Sequence, residues 1–221
     1  LSFDKHFKHS GNLYRIIEKQ NPPGGEVTLF APSPAPLGNA LKEEFPEIVR
    51  ASRYISTPLT LKKGNENIEE NVVVVDKDFL KMFDIEFVQG DINSALNDPQ
   101  SIILTEEMAW KYFSNTNVLG KTLSSLGFDL TVTGVVKKLP ENTSFSFDKL
   151  ISTDLFVNLM GASDINEWNR GRCYNYVELS DGTHIEEFNK KIRFILKKYQ
   201  ENTNSEVSLQ NIEKIHLFSS R

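Results

Sequence analysis

The residues most able to do chemistry in this sequence are four histidines, one cysteine and several pairs of adjacent glutamates. Histidine and cysteine bind metals, and two carboxylates can act together as general acid and base. The histidines are His6, His9, His184 and His216. His6 and His9 could share one face of a helix, but no third ligand stands near them at a recognised spacing. We therefore predict no metal site.

Solvation explains the glutamate pairs better than catalysis does. Three of the four pairs fall at or in predicted helices, where acidic side chains are expected near the N-terminus or on the wet face. The pairs are Glu43-Glu44, Glu69-Glu70, Glu106-Glu107 and Glu186-Glu187. The sequence also lacks HExxH, CxxC, GxSxG and a glycine-rich phosphate loop. We predict that the protein is not an enzyme, with no catalytic or cofactor-binding residues and no cofactor; a ligand groove between two subdomains is the alternative to chemistry.

Composition excludes other classes of protein. The net charge of -5 and the pI near 5.5 argue against a nucleic-acid partner. The lysine pairs at 62–63, 137–138 and 197–198 are expected on solvated faces. The single Cys173 cannot form an intramolecular disulfide, and Gly24-Gly25 follow two prolines and precede no helix, so they indicate a turn. Neither an apolar run of about 18 residues nor a signal peptide is found, so the sequence alone predicts a soluble chain.

The elements that must position these residues are clearest in the central run, 72–149. Four β-branched residues at 72–75 predict a strand, and Asp76 is the expected N-cap of a helix that carries Phe79, Leu80 and Phe83. A second strand, 102–104, is followed by Thr105 as N-cap and by an apolar stripe of Met108, Ala109, Tyr112 and Phe113. A third strand is predicted at 130–136 and stops before Pro140. The first of these strands belongs to the second arm of a predicted β-hairpin, 59–63 and 68–75, which turns at 63–65.

The two ends of the chain resemble each other in pattern. The first unit is a strand at 13–19, a helix from Leu37 to Phe45 and a strand at 51–56, which together form a crossover unit. A break at 21–25 ends its first strand. Strand 174–179, a helix opened by a Thr183/Glu186 capping box and strand 207–217 form the other. Phe188, Ile192 and Leu196 give that second helix its apolar face, and the stretch 152–172 between the units reads as helix fragments and loop.

These patterns predict an α+β fold with α/β-like crossover units. Each terminal unit is too small to bury its apolar face alone, so we expect both to dock on one sheet. The result is a discontinuous subdomain, 1–94 with 171–221, and an inserted subdomain, 95–170. The buried packing residues are expected to include Phe79, Phe83, Tyr112, Phe113, Phe188, Ile192 and Leu196.

Many short motifs in this sequence resemble, in order and spacing, those of the MacB-like periplasmic domain of ABC transporter permeases of the MacB/FtsX type. The resemblance covers nearly the whole chain, from the N-terminal segment through 212–217. The motifs that carry it include 78–83, Gly90-Asp91, Ser94-Ala95-Leu96, 101–105, 111–113, Leu119-Gly120-Lys121-Thr122, Thr133-Gly134-Val135, Leu139-Pro140-Glu141-Asn142 and Phe147.

The resemblance implies a domain between two membrane helices, on the periplasmic face of the inner membrane. It implies a porter-like βαβ subdomain, an inserted Sabre-like subdomain and a non-catalytic part in export, extraction or partner activation by mechanical motion. The implied partners are an ABC ATPase, a second permease copy and a periplasmic adaptor or substrate protein. The alternatives are a stand-alone periplasmic or secreted binding module and an enzyme with an unrecognised site.

Overall fold

The computed structural model describes residues 3–20, 25–125, 127–201 and 203–215. Its strands are β1 Leu13–Gln20, β2 Thr28–Phe30, β3 Ser33–Pro34, β4 Ile48–Lys63, β5 Glu66–Val75, β6 Phe87–Gly90, β7 Ser101–Thr105, β8 Thr122–Ser124, β9 Asp129–Val136, β10 Lys149–Ser152, β11 Arg172–Leu179 and β12 Glu206–Asn211. Its α-helices are α1 Leu37–Glu44, α2 Phe79–Met82, α3 Glu106–Phe113, α4 Thr153–Met160, α5 Ser163–Asn166 and α6 Ile185–Ile192. Short 3-10 helices occupy Ser10–Asn12, Ile195–Lys198 and Ile212–Lys214.

The chain forms two compact units. The terminal unit comprises Leu1–Arg53 and Gly161–Arg221, and the central unit comprises Tyr54–Met160. The predicted boundaries, 94/95 and 170/171, differ from these positions. The difference arises because β5 pairs with β10 and β6 pairs with β9, so segments before residue 94 complete the sheet of the central unit. The first division falls within β4.

In the terminal unit, β1 joins the two ends of the chain. It pairs antiparallel with β12 and, on its other edge, with β11, so β11 and β12 run parallel to each other with β1 between them. Helix α6 connects these two strands. The prediction that strands from both ends share one subdomain is therefore confirmed. The Asn211 side chain also donates to the carbonyls of Ser10 and Gly11, at 2.9 and 3.1 Å.

One apolar cluster fills the terminal unit and explains why α1 and α6 lie on its sheet. Burial of such side chains stabilises the fold by about 25 cal/mol per Å² of apolar surface. The cluster comprises Ile16, Leu37, Leu41, Ile48, Ala51, Val177, Leu179, Phe188, Ile192, Leu196, Val207 and Leu209. The predicted burial of Phe188, Ile192 and Leu196 is confirmed.

Two predicted details of this unit were wrong. Thr183 does not cap α6; the N-cap residue is His184, and the Thr183 hydroxyl donates to the Ser180 carbonyl at 2.8 Å. Strand β12 ends at Asn211 because the Asn211 side chain accepts from the Glu213 backbone N–H and starts a 3-10 helix. The predicted continuation at 216–217, the break at 21–24 and His216 lie outside the described residues.

The central unit contains a mixed sheet. Strands β4 and β5 form the predicted hairpin, with Gly64 at a φ of 60° in the turn, where a side chain would be strained. Strand β5 pairs parallel with β10, β10 antiparallel with β7, and β7 parallel with β9. The parallel and antiparallel pairs and the short helices combine α and β structure in one mixed sheet, which confirms the predicted α+β fold with α/β-like units.

An aromatic cluster packs under the helix that follows β5. The ring of Phe83 lies 4.8 Å from that of Phe79 and 4.7 Å from that of Phe145. Phe79 and Phe83 are buried, as predicted. Asp76, however, is not the N-cap of α2; Asp78 holds that position, and the Asp76 carboxylate accepts from the Thr153 hydroxyl at 2.9 Å.

Helix α3 is less buried than its pattern predicted. Thr105 is its N-cap as predicted, and its hydroxyl oxygen accepts from the Met108 N–H at 3.4 Å. Ala109 is fully buried, but Tyr112 and Phe113 are only half-buried, so their assignment to the core was wrong. The reason is that polar contacts, described below, hold the Tyr112 side of the helix.

Candidate functional site

Glu70 lies at the centre of a cluster of four ionisable side chains. Strand β5 supplies Glu70, α3 supplies Lys111 and Tyr112, and β10 supplies Lys149. Both lysine ammonium groups donate to the Glu70 carboxylate: Lys149 at 2.8 Å and Lys111 on the other oxygen. The Tyr112 hydroxyl donates to the same carboxylate at 3.1 Å. We call these four residues the Glu70 network.

Burial makes this network unusual. The side chain of Lys149 is only 1% exposed and that of Glu70 is 13% exposed. An unpaired charge at the position of Lys149 would be costly, because water cannot solvate it there. Glu70 offsets that cost with a direct ion pair. The Lys149 ammonium also lies 3.6 Å from the sulfur of Met108.

The network fixes the protonation of its acidic members. Burial alone would raise the pKa of Glu70, but hydrogen bonds from Lys111 and Lys149, the charge of Lys149 and the Tyr112 hydroxyl lower that pKa from 4.5 to about 2. Burial, and then the charge of Glu70, raise the pKa of Tyr112 above its ordinary value. At neutral pH the carboxylate is therefore ionised and the phenol protonated.

These protonation states decide what the cluster can do. A general base needs a pKa near the working pH, and Glu70 is far below that range. The pKa of Tyr112 lies above that range. The role of the Glu70 network is therefore structural. Its one carboxylate links side chains of α3 and β10 to β5.

The sequence named Glu70 only as one of a pair. Glu69 and Glu70 are neighbours on β5, so their side chains point to opposite faces, and Glu69 is exposed. The overlooked signal was Lys149, which follows Asp148 and directly precedes the apolar Leu150 at the start of a strand. A lysine in that position needs a partner, and an acid on a neighbouring strand is the natural one.

The other glutamate pairs lie at the surface. Glu44 accepts from Lys198 at 2.7 Å and from the Tyr199 hydroxyl, and Glu107 accepts from Lys138 at 3.1 Å. Glu106-Glu107 and Glu186-Glu187 occupy the first turns of α3 and α6, where the helix dipole favours acids.

Three of the four histidines, His6, His9 and His184, lie within the described residues. His6 packs against the ring of Phe7, with ring centroids 4.1 Å apart, and His9 precedes a 3-10 helix. His184 stands alone among them at the start of α6. Among the described residues no three metal-ligating side chains converge. Cys173 is buried in β11.

Two surface cavities lie in the terminal unit. One of about 320 Å³ is lined by Glu47, Asp181, His184, Glu187 and Lys191, among others, and Lys191 is neutralised by Glu47 at 2.5 Å. The second, of about 550 Å³, is lined by residues that include Tyr14, Leu209 and Asn211. Burial raises the pKa of the Tyr14 hydroxyl, so it stays protonated.

Comparison with known proteins identifies the family to which this chain belongs. Residues 1–195 match the family model described as the MacB-like periplasmic core domain. The chain belongs to this family. The resemblance found in the sequence is therefore confirmed, and the chain is a periplasmic domain of the kind found in ABC-type permease transporters. No curated protein matches it in sequence.

Solved structures show how widely this fold is shared. A domain described as part of a permease from Porphyromonas gingivalis has a TM-score of 0.77 at 24% identity, covering 94% of this chain and 92% of that one. The periplasmic region of MacB from Actinobacillus actinomycetemcomitans has a TM-score of 0.65 at 18% identity, with the same coverage. The extracellular domain of the noncanonic ABC-type transporter YknZ from Gram-positive bacteria has a TM-score of 0.64 at 14% identity, covering 90% and 100%.

Within this MacB-like core domain, the Glu70 network belongs to the central unit and both cavities belong to the terminal unit. No helix in the described ranges is long and apolar enough to cross a membrane.

Proposed function

We propose that this MacB-like domain is a non-catalytic mechanical part of a MacB/FtsX-type permease. It couples ATP hydrolysis on the cytoplasmic side to export, extraction or partner activation in the periplasm. The domain works at the periplasmic face of the inner membrane. Its partners are an ABC ATPase, reached through the full-length permease, a second permease copy and a periplasmic adaptor or substrate protein.

The Glu70 network in the central unit is the observation that supports this proposal. Lys111, Tyr112 and Lys149 all donate hydrogen bonds to Glu70, and the shifted pKa values of Glu70 and Tyr112 keep the carboxylate ionised and the phenol protonated at neutral pH. Such a network resists local deformation, because breaking it would leave Lys149 buried without its counter-ion. A unit braced in this way can move as one body and transmit displacement.

We further propose that the terminal unit corresponds to the porter-like subdomain and the central unit to the Sabre-like subdomain. The support is topological. The terminal unit is built from both ends of the chain around β1, and the central unit is a single inserted segment.

The test locks the domain rather than deleting it. In a full-length permease with its ATPase, the native Cys173 is replaced by serine, and single cysteines are placed at exposed positions, beginning with Trp110 and Leu119. Positions at which oxidation joins two copies give the locked variants. We expect these variants to lose transport or partner activation while ATP binding persists.

Two controls make the result specific. Reduction of the disulfide should restore activity, and exposed cysteines that do not join two copies should leave activity unchanged under oxidation. A locked permease that worked at full rate would contradict the mechanical proposal. Turnover of a substrate by the 221-residue chain alone would contradict the non-catalytic part of it.

A further inference from the structure

The second cavity of the terminal unit lies at the edge of β12. It has a volume of about 550 Å³, and β12 is the outermost strand of its sheet. Ligand-binding pockets are commonly of this size. Tyr14 and Ile185 line the cavity and also pack against the apolar cluster that contains Leu209, another lining residue. We call this cavity the β12 cleft; its floor offers apolar contacts to a ligand.

Charge indicates which ligands the β12 cleft favours. Among the described residues that line it, Lys214 alone is charged at neutral pH, because the Tyr14 phenol is protonated and Gln210 is a neutral amide. Lys214 is exposed and has no ion pair with a described residue. In the first cavity, by contrast, Glu47 neutralises Lys191. The β12 cleft is therefore suited to a ligand that carries a negative charge.

The strand edge in the cleft also offers two backbone groups. The N–H of Val207 donates to the Arg193 carbonyl at 2.8 Å. The N–H of Leu209 donates to the Asn189 side chain, also at 2.8 Å. Both N–H groups therefore point away from β1. Every second residue of an antiparallel strand faces the same way, so the Leu209 C=O and the Asn211 N–H also lie on the outer edge.

These two groups match the last residue of a peptide that runs parallel to β12. In a parallel pair, each residue bonds to the residues before and after the one opposite it. The N–H of a bound residue can donate to the Leu209 C=O while its carboxyl group accepts from the Asn211 N–H. Lys214 follows in the adjoining 3-10 helix and lines the same cleft. Because the α6 segment covers the edge as far as the Leu209 N–H, only the last residue of a bound chain can pair in this way.

We propose that the β12 cleft binds the C-terminal residue of a peptide whose last side chain is apolar. The carboxylate accepts from the Asn211 N–H and faces the Lys214 ammonium, while the N–H of the same residue donates to the Leu209 C=O. The apolar side chain lies against Tyr14 and Ile185. Pairing with a strand edge and capture of a terminal carboxylate are both recurring modes of peptide recognition.

The backbone groups favour a peptide over a fatty acid as the occupant. A fatty acid supplies a carboxylate and an apolar chain, but it has no N–H to donate to the Leu209 C=O. In the proposed function, on which this step rests for its biological role, the substrate or adaptor is a protein. The cleft then holds the carboxyl terminus of that protein.

The test uses random peptides displayed on phage with their carboxyl ends free and selected on the immobilised 221-residue chain. We expect enrichment of Leu, Ile, Val or Phe at the last position. One enriched peptide is synthesised with a fluorescent label at its N-terminus, and its Kd is measured by fluorescence anisotropy. Amidation of its C-terminus removes the negative charge and should weaken binding at least about tenfold. Replacement of its last residue by serine should also weaken binding at least about tenfold.

Matched lysine variants test the protein side. Lys214→Gln removes the cation of the cleft and should weaken binding of the peptide with a free carboxylate about three- to fivefold, because the ion pair is exposed to solvent. It should leave the Kd of the amidated peptide unchanged within about twofold. Lys190→Gln makes the same change at an exposed lysine outside the cleft and should leave both Kd values unchanged. Urea titrations verify that each variant is folded.

NMR spectroscopy tests where the carboxylate binds. When the peptide with a free carboxylate is added, the amide proton of Asn211 should move downfield, because it gains a charge-assisted hydrogen bond. The amide proton of Val207 is the control, since it already donates to the Arg193 carbonyl. Its shift should change much less.

Several outcomes would overturn the proposal. Selection could show no preference at the last position, free and amidated peptides could bind equally, or the two lysine variants could have equal effects. Dodecanoate could displace the labelled peptide as effectively as the unlabelled peptide does, which would make the cleft a fatty-acid site. None of these outcomes changes what the disulfide-locked permease does, so the failure of one proposal is distinguishable from the failure of the other.

Discussion

Two clusters of glutamate, lysine and tyrosine occur in this domain, one in each unit, and differ chiefly in burial. The Glu70 network encloses Lys149 at 1% exposure. In the terminal unit Glu44 accepts hydrogen bonds from Lys198 and Tyr199, but the Lys198 side chain is 58% exposed. The same chemical groups therefore meet in water in one unit and away from it in the other.

This difference teaches that hydrogen-bond geometry alone does not measure an ion pair. Hydrogen bonds from Lys198 and Tyr199 lower the pKa of Glu44, just as those in the buried cluster lower that of Glu70. At the surface, water and salt screen the attraction, and holding long side chains costs entropy. Inside the protein, the attraction is stronger and its loss leaves an unsolvated charge.

The largest expected effect follows from Glu70→Gln. It leaves Lys149 buried without a counter-charge, so we expect the free energy of unfolding to fall by about 3–5 kcal/mol in urea titrations. Glu69→Gln, at the adjacent exposed position, is the matched control and should change little. A loss below about 1 kcal/mol would mean that Lys149 finds other solvation.

The second prediction concerns pH. The pKa of Glu70 is 4.5 in the unfolded chain and about 2 in the folded one. Because the folded value is the lower one, the stabilisation is complete above pH 4.5 and is lost as the pH falls through 2. The lowering corresponds to about 3 kcal/mol. The gap in stability between wild type and Glu70→Gln should narrow by about that amount between neutral pH and about pH 2.

An equivalent titration of Glu44→Gln provides the contrast for this pH experiment. Glu44 also has a lowered pKa, so any narrowing occurs in the same direction. Solvent screening should make the change much smaller. Equal pH profiles for the two glutamate variants would contradict the distinction between the clusters.

A double-mutant cycle isolates the third effect. Lys149→Met replaces the buried ammonium with an apolar chain of similar length, so Glu70→Gln/Lys149→Met should be more stable than Glu70→Gln alone. We expect a coupling energy of about 1–3 kcal/mol between Glu70 and Lys149. The corresponding cycle for Glu44 and Lys198 should show no detectable coupling. If the stability losses of Glu70→Gln and Lys149→Met were additive, the two side chains would not be coupled, and the stabilising energy would come from other contacts of the network.

The sequence could predict elements whose signals are local. The β-branched run at 72–75, the turn at Gly64, the Thr105 cap and the apolar face of α6 each lie within one segment, and all were confirmed. The family could also be predicted from the sequence, because its short motifs occur in order along the chain.

What the sequence could not predict depends on pairing between distant segments. Glu70 and Lys149 are 79 positions apart in the sequence. Strands β5 and β10 pair in parallel, so no hairpin turn in the sequence indicates that they are neighbours. The predicted domain boundary grouped β5 with the N-terminal strands, whereas in the structure β5 pairs with β10. The half-burial of Tyr112 and Phe113 was missed for a related reason: helical periodicity shows which side chains share a face but not how much of that face is covered.

The fourth prediction tests how α3 is held. The Phe113 ring is half-buried and has the Lys121 ammonium 5.5 Å from its centroid. Phe113→Ala should therefore cost about 1–2 kcal/mol, well below the about 3–5 kcal/mol expected for the fully buried Phe79→Ala. Equal losses, measured by urea denaturation, would show that packing rather than the Glu70 network anchors the helix.

The smallest expected effect comes from removing one hydroxyl group in each cluster. Tyr112→Phe removes a hydrogen bond to a carboxylate that keeps both lysines, so we expect a loss of about 1 kcal/mol. In Tyr199→Phe, water can replace the lost partner of Glu44, and the ring stays stacked on Trp168 at 3.8 Å between centroids. That variant should be indistinguishable from wild type in urea, with unchanged tryptophan fluorescence in the folded state. A Tyr199→Phe loss as large as that of Tyr112→Phe would show that exposure does not separate the two clusters, because both substitutions remove one hydroxyl that donates to a glutamate carboxylate.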